Sequence, residues 1–316
     1  MLKNKFPIFS SYFSERQKCF LIPSALFAGF ALLYRPLKLE ESLCPLYESG
    51  GQIAKTLFLF TIYTILFYYA ITFLYNYLNR LNPEERAGRF SYPQKAALLG
   101  LIWLPHIIAA YPASIPPDTE TQLIQFMGYE PFTAHHPPVH TCLIGICTQL
   151  GGWLFHSYNI GLFFALILQY IAMLLIFTYT IHYLEKRKAP VFILRFQWAV
   201  YSLSPLIIGF VGVILKDVIY SAFFVLFIIF CADFAENPSF SLSLRNTAGL
   251  VASGICVILL RNNGKYVIYP MCLLLFVMTI AHHCRNRKQW TRALCVLVLP
   301  AAVSFFFFFS LTLAYR

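Results

Sequence analysis

The chain has 316 residues, of which 59% are hydrophobic and only 12% are charged. This composition excludes an ordinary soluble domain and indicates a polytopic α-helical membrane protein. The net charge of +11 does not indicate a nucleic-acid partner, because the Lys and Arg residues lie in short polar segments between apolar runs. There they orient helices against the translocon and anionic lipids. We therefore expect an all-α protein whose surroundings are membrane lipids.

Apolar runs recur along the whole chain. A bilayer core of about 30 Å needs about 20 apolar residues per helix. On that measure the candidate spans are 19–35, 56–78, 96–112, 158–183, 190–215, 217–235, 247–261, 265–283 and 292–314. A tenth run, 138–156, is shorter and is interrupted by glycines. We expect two spans and a basic loop in a first domain, 1–95, and a membrane core in a second domain, 96–316, with about nine or ten helices in total.

Basic residues predict the orientation, because cytoplasmic segments of membrane proteins are enriched in Lys and Arg. They cluster in the N-terminal tail, in the loop 80–95, in the run EKRK at 185–188 and in RNRKQWTR at 285–292. With a cytoplasmic N-terminus, three crossings bring the chain to the outer face at Tyr111. The polar segment 112–137 is then an external loop. We expect an integral membrane protein with a cytoplasmic N-terminus.

The run 138–156 creates a conflict in this topology. If it and 158–183 both cross the membrane, the basic run at 185–188 lies outside, against the charge rule. Either 138–156 is re-entrant or interfacial, which we prefer, or it spans while 190–215 breaks into two short helices at Ser202–Pro205. Both alternatives place residues 216–217 and the turn 261–265 on the outer face.

The external loop and the helix start after it carry three carboxylates and three histidines but no Lys or Arg. The candidates among them are Asp118, Glu120, His135, His136 and His140. Ionisable groups so close to hydrocarbon are costly unless they face a cavity, a partner or water, which makes them functional candidates. Alternatively, Asp118 is a turn residue or the N-cap of a helix from Thr119, and Glu120 only favours that helix start.

Metal binding is a further candidate role for these groups, because histidines opposite carboxylates have metal-ligand character. We consider Asp118, Glu120 and His136 as a site for a divalent cation. His135 and His140 are candidates for the same site or for contacts to an acceptor. Their spacing matches no closed zinc site.

Two other polar motifs share the outer face. Lys216 and Asp217 separate two apolar runs, and Arg261, Asn263 and Lys265 belong to a turn whose cations and amides can hold a phosphate or pyrophosphate. The alternatives are that Lys216 snorkels from its helix end and pairs locally with Asp217, and that 261–265 only terminates a helix.

The order of these motifs resembles the GT-C superfamily of membrane glycosyltransferases, in particular relatives of the protein O-mannosyltransferases and the aminoarabinose lipid A transferases. In those families an external loop begins with an acidic motif and ends with an HPP-type motif. Here the loop has the lead-in YP-x-S-x-x-PD-x-x-x-Q at 111–122 and His-Pro-Pro at 136–138. The chain most closely resembles a bacterial group with extra N-terminal helices, a segment ending in KD and an R-x-NG element, here KDVIYSA at 216–222 and RNNG at 261–264.

This resemblance covers roughly residues 96–270 and implies a fold and an activity. The fold is a GT-C-like membrane core with short helices in an external loop. The activity is inverting transfer of a sugar from a polyprenyl-phosphate donor to an acceptor at the outer membrane face. Asp118 would be the catalytic base, and Lys216, Asp217, Arg261, Asn263 and Lys265 would hold the donor phosphate.

The chain also departs from the resembled families. The mannosyltransferases have an adjacent acidic pair, whereas Thr119 separates Asp118 from Glu120 here. Members are usually longer, which indicates a fragment or a minimal core. The main alternative function is a transporter or flippase for a lipid-linked or anionic solute, although the chain has no recognisable repeat of the kind common in transporters. A non-enzymatic scaffold would leave the external polar motifs without a purpose.

Overall fold

A computed structural model describes residues 19–36, 43, 46–80, 90–133, 135–236, 244–283, 298, 300, 302, 303 and 305. The regular elements of these residues are helices, which confirms the all-α class. They belong to two compact units, one within Met1–Glu84 and the other within Glu85–Arg316. The predicted helix 292–314 and the N-terminal tail lie almost wholly outside the described residues.

The first unit is a pair of helices, α1 (Leu21–Arg35) and α2 (Gly50–Arg80). Phe20 packs on Tyr75 and Phe27 packs on Phe67, with ring centroids 5.1 and 5.7 Å apart. Because the contact moves back along α2 as the chain advances along α1, the two helices are antiparallel.

The second unit contains the remaining helices. They are α3 (Tyr92–Ala109), α4 (Pro117–Phe126), α5 (Pro138–Phe155), α6 (Tyr158–Lys186), α7 (Val191–Leu203), α8 (Pro205–Val211), α9 (Lys216–Glu236), α10 (Leu244–Leu260) and α11 (Lys265–His283), with a 3₁₀ turn at Asn262–Gly264. Proline is the first residue of α4, α5 and α8, where its missing N–H would be unpaired in any case. At the start of α3 the Gln94 side chain accepts a hydrogen bond from the Ser91 N–H at 2.8 Å.

Three helices of the described residues are long and apolar enough to cross a membrane: Gly50–Tyr77, Tyr158–Lys186 and Lys216–Phe234. The pair α7 and α8 passes the same test together as a fourth, with a bend of 49°. Two more apolar segments, Leu21–Leu33 and Arg245–Leu260, are shorter. The structure therefore supports membrane-spanning helices within the described residues, but fewer than the nine or ten that the sequence predicts.

The candidate span 190–215 is two helices that break at Ser204, within the stretch Ser202–Pro205 where one of the two alternatives places a break. Its backbone is extended there (φ −67°, ψ 119°), and Pro205 starts the next helix. A proline in a helix interior removes one hydrogen bond and clashes with the preceding turn. After α8 ends at Val211, residues 212–215 form a short non-helical segment that leads to the start of α9.

Close packing joins α5 to α6. The predicted interruption of the run 138–156 by glycines is wrong: α5 continues through Gly145, Gly151 and Gly152. These glycines instead allow close approach, since a Cβ on Gly151 would lie 2.2 Å from the backbone nitrogen of Gly161. Small residues at helix contacts let backbones approach in this way.

We predict that Gly161→Ala destabilises the second unit, because its Cβ would lie 2.5 Å from the Cys147 carbonyl oxygen. Backbone atoms of a helix cannot move aside cheaply, and overpacking of this kind costs about 1–3 kcal/mol. Gly209→Ala is the matched control, as an added Cβ there has nothing within 4 Å. Thermal unfolding in detergent should show a lower midpoint for Gly161→Ala alone. Equal midpoints for the two variants would contradict the packing that we describe.

The second unit has two ends with different chemistry. Ion pairs Lys95–Glu185 and Arg187–Asp233 join the start of α3, the end of α6 and the end of α9 at one end, which we call the basic end. The start of α9 and the end of α10 lie at the other, which we call the site end. The packing of Trp103 on Tyr170 shows that α3 and α6 are antiparallel.

This arrangement locates α5. The middle of α6 is already at the site end, because the Gln169 amide donates a hydrogen bond to the Val213 carbonyl at 2.7 Å. The start of α6 therefore lies at or beyond the site end, and α5 joins it through the short turn at His156–Ser157. It follows that α5 does not extend to the basic end of the second unit.

Candidate functional site

Side chains from four segments meet at the site end. Lys216, the first residue of α9, donates a hydrogen bond from Nζ to Asp118 Oδ2 of α4 at 2.6 Å. The same Nζ lies 3.1 Å from His136 Nδ1, just before α5. The next residue, Asp217, pairs with Arg261 after α10, with NH1 2.8 Å from Oδ1. The structure therefore brings together the acidic, histidine, Lys-Asp and Arg-Asn motifs, and we call this group the Asp118 site.

Asp118 is held in place by its neighbours on α4. Pro116 is the N-cap of this helix, and Asp118 lies in the first turn, so the alternative in which Asp118 caps a helix from Thr119 is wrong. Thr119 is buried, and its hydroxyl donates a hydrogen bond to the Ile214 carbonyl at 2.6 Å. This bond ties the start of α4 to the segment just before Lys216.

A short backbone bridge fixes the same segment. The Ser114 N–H donates to the Gly212 carbonyl, and the Ile214 N–H donates to the Ser114 carbonyl, each at 3.0 Å. Gln169 of α6 reinforces the bridge through the hydrogen bond to Val213. The backbones before Asp118 and before Lys216 are therefore bound side by side, which explains why the two side chains meet.

Lys216 does not pair with its sequence neighbour, as the local alternative would require. Its side chain is only 14% exposed, whereas that of Asp118 is 53% exposed. The Lys216 hydrogen bond holds the pKa of Asp118 below its usual value, and the charge of Lys216 and both histidines act in the same direction. Burial lowers the pKa of His136, and the charge of Lys216 lowers it further. These shifts favour the ionised carboxylate of Asp118 and the neutral imidazole of His136.

The turn after α10 completes the site. The guanidinium of Arg261 also lies over the ring of Tyr220, 5.3 Å from its centroid. Asn262 donates a hydrogen bond to the His135 carbonyl at 3.1 Å, which attaches this turn to the segment just before α5. Two other predicted residues of this turn are placed differently: Asn263 is exposed, and Lys265 lies over Tyr266.

The predicted metal set of Asp118, Glu120 and His136 is not assembled. Among the described residues no group of three or more His, Cys, Asp or Glu side chains is placed to hold a metal ion. Lys216 Nζ occupies the position between Asp118 and His136, where its positive charge opposes a cation. Glu120 lies exposed in the first turn of α4, where its charge favours the helix start.

His140 and His135 have different surroundings. His140 is 1% exposed, and its Nδ1 lies 2.8 Å from Gln122 Oε1, so it links α5 to α4. Burial lowers the pKa of His140 to about 4, with a further contribution from the charge of Lys216. The His135 ring packs edge to face on His136 at 4.9 Å. The structure thus gives His140 a positioning role and places His135 beside the site.

We predict that stability falls as the pH is lowered from about 6.5 to about 4. Over this range the unfolded state protonates His140, whose usual pKa is 6.5, whereas the folded state does not until about 4. The unfolded state therefore binds more protons, and the loss amounts to about 3 kcal/mol. His140→Gln should reduce this dependence in thermal unfolding experiments. An unchanged pH dependence in the variant would exclude His140 as the cause.

Several residues that position the site carried little sequence signal. Thr119 was only a spacer between two acidic residues, yet its hydroxyl is buried and bonded. Gln122 and Tyr220 are ordinary helix residues whose partners are distant in sequence. Gln169 could have been found, because an amide within the apolar run 158–183 requires a hydrogen-bond partner.

An apolar groove leads to the site. It has a volume of about 320 Å³ and lies between α6, α8 and α9. Its wall includes Met173, Phe177, Leu206, Phe210 and Val218. The polar residues of the lining are Asp217 and Ser221, so the groove joins the ion pair of Asp217 with Arg261.

The chain matches the model of a protein family. The profile of a family of unknown function (DUF6020) matches residues 127–313, which is more than half of the chain. This range includes His136, Lys216, Asp217 and Arg261 of the site but begins after Asp118. Searches of curated proteins and of solved structures found no significant match.

Proposed function

We propose that this chain, which belongs to the family of unknown function DUF6020, is an inverting membrane glycosyltransferase of the GT-C type. It would move a sugar from a polyprenyl-phosphate donor to an acceptor at the outer face of a bacterial cytoplasmic membrane. The N-terminus would then be cytoplasmic, and the basic end would face the cytoplasm, in accordance with the charge rule.

The observation that carries this proposal is the position of Lys216. Its Nζ bonds the carboxylate of Asp118, and the adjacent Asp217 holds Arg261 next to an apolar groove. A lipid-phosphate sugar needs these three features: a proton acceptor, cations for a phosphate and a path for a hydrocarbon chain. Their contact within one site supports the proposal.

The chemistry is a single displacement at the anomeric carbon. The acceptor oxygen forms a bond to that carbon while the bond from the carbon to the phosphate oxygen breaks, and its electron pair leaves with the lipid phosphate. The hydroxyl proton passes to Asp118. Because the pKa of Asp118 is lowered, it is ionised at neutral pH, and it takes the proton as bond formation makes the hydroxyl more acidic.

Positive charge is needed next to the phosphate that leaves. Negative charge develops on the phosphate in the transition state, where fixed cations stabilise it more than in the ground state. Lys216 and Arg261 are the cations of the site, and Lys265 lies at the start of α11. We assign Lys216 to the region between base and phosphate, and Arg261 to the phosphate itself.

The groove supports a lipid-linked donor rather than a soluble nucleotide sugar. Its wall is almost wholly apolar, and it ends at Asp217, whose partner is Arg261. A polyprenyl chain in this groove would bring its phosphate to the cations. The donor would then lie along α9, with its sugar directed to Asp118.

A transporter or flippase is the second candidate, and the broken pair α7 and α8 is the observation that favours it. Transporters bind substrates at discontinuous helices, but they typically contain paired breaks near mid-depth. Among the described residues the bent pair is single. Its break precedes the Asp118 site by a short segment, so the same charges would line a pathway.

One assay separates the two candidates. Purified protein is reconstituted with a radiolabelled polyprenyl-phosphate sugar, and the label is followed to candidate acceptors and across the bilayer. We expect label on an acceptor, with inverted configuration at the anomeric carbon. Translocation of the intact donor without transfer would contradict the glycosyltransferase proposal.

A further inference from the structure

A second cavity lies at the basic end of the same unit. It has a volume of about 540 Å³ and is lined by residues of α3, α6, α9 and α10, together with Arg187 just after α6. It is thus at the opposite end of α6 and α9 from the Asp118 site. None of the motifs that suggested a glycosyltransferase contributes to it.

Positive charge dominates this cavity. Its lining includes the cations Lys186, Arg187 and Arg245, against the single carboxylate of Asp233. Arg187 pairs with Asp233, and the Tyr183 hydroxyl donates a hydrogen bond to the same carboxylate oxygen at 2.9 Å. Two positive charges remain in excess, which favours an anionic ligand.

The groups around these cations are suited to a phosphate. Guanidinium groups present fixed pairs of donors to phosphate oxygens. Asp233 orients Arg187, whose guanidinium also lies 5.2 Å from the centroid of the Tyr183 ring. Asn246 adds an amide to the wall. The cavity therefore combines the charge of a lysine, the planar donors of two arginines and the neutral amide of Asn246.

The rest of the lining is apolar or aromatic. Leu175, Ile176, Leu226 and Phe230 form one part of the wall, and Tyr179 packs on Phe230 with ring centroids 6.4 Å apart. A ligand that fills this cavity must therefore carry an apolar portion beside its charge. A small inorganic anion would leave this part of the wall in contact with water.

From this combination we propose that the basic end holds a second binding site, for a phosphate ester with an apolar portion. The headgroup region of an anionic membrane lipid and a soluble phosphate ester share this chemistry. Basic pockets between membrane helices on the cytoplasmic side bind anionic headgroups. The site is independent of the proposed transfer reaction, so either proposal can fail without the other.

The test uses the full chain in nanodiscs of phosphatidylcholine with a minor fraction of phosphatidylglycerol, and lipid retained by the protein is counted by native mass spectrometry. The variant is Lys186→Gln with Arg245→Gln, which removes two exposed cations and leaves the Arg187–Asp233 pair intact. We expect phosphatidylglycerol to bind about 30-fold more weakly to it. The matched control is Lys188→Gln with Arg195→Gln, which removes two exposed charges outside the cavity lining.

A second arm identifies the source of the phosphate. The protein is placed in pure phosphatidylcholine, and binding of radiolabelled glycerol 3-phosphate and of a nucleoside monophosphate is measured. Retention of phosphatidylglycerol without binding of either soluble ester supports a lipid headgroup. Saturable binding of a soluble ester that is lost in the double variant supports a soluble ligand. Equal binding of every probe by wild type, double variant and control overturns the proposal.

Discussion

Asp118→Asn is expected to lower sugar transfer by about 10²- to 10⁴-fold, the usual contribution of a general base. Asparagine has nearly the same shape, and its side-chain oxygen can still accept the hydrogen bond that Lys216 donates at 2.6 Å in the wild type. It cannot accept the acceptor's proton, because an amide is far less basic than a carboxylate. Single-turnover transfer from a labelled polyprenyl-phosphate sugar measures the loss.

The control for this variant is Glu130→Gln, which removes an exposed carboxylate from the same polar segment, 112–137. Glu130 lies after α4 and should leave transfer unchanged. Helix content and thermal midpoint should match wild type in both variants, because Thr119 and not Asp118 ties α4 to residue 214. Full transfer by a folded Asp118→Asn protein would remove Asp118 from the mechanism.

Lys216→Gln should be the second most damaging change, with a loss of about 10²- to 10³-fold in kcat. The variant removes the ammonium that would stabilise charge on the departing phosphate. It also removes the main cause of the lowered pKa of Asp118. Transfer requires ionised Asp118, so activity is lost as the pH falls through that pKa. Raising the pKa should therefore move the acid limb of the pH profile to higher pH.

The pH profile distinguishes a role in the reaction from a merely structural one. Lys55→Gln, a change of an exposed lysine on α2, should alter neither kcat nor the profile. A Lys216→Gln protein that loses activity with an unshifted acid limb would show that Lys216 does not act on Asp118. Its other contact, with His136 Nδ1, would then be the one to investigate.

The sequence was informative wherever the alternation of apolar and polar segments is enough to place a residue in the fold. The helical class and the approach of Lys216 to Asp118 both follow from the order of apolar runs and charges. The partner of Lys216 was less predictable, because it depends on how α4 packs. Thr119 and Ser114 bind residues 212–214 through buried and backbone hydrogen bonds, so Lys216 faces Asp118 rather than Asp217.

The positions of helix breaks and the contacts between helices were also hard to predict from the sequence. A proline at 205 allows a break, but the sequence alone left open whether 190–215 is one span or two short helices. Gly151 was taken as an interruption, whereas the fold uses its missing side chain for contact with Gly161. Such choices depend on the neighbouring helix, which local sequence does not specify. The candidate metal set does not come together among the described residues for a similar reason, because Lys216, which is distant in sequence, lies between Asp118 and His136.

Photo-crosslinking tests most directly whether the Asp118 site binds a lipid-linked sugar. A polyprenyl-phosphate sugar with a diazirine beside the phosphate is irradiated with the protein in nanodiscs, and labelled peptides are mapped. The proposal predicts labels within residues 206–221 and 261–265, removed by excess unlabelled donor. Competable labels confined to the basic end, at Lys186 or Arg245, would contradict it.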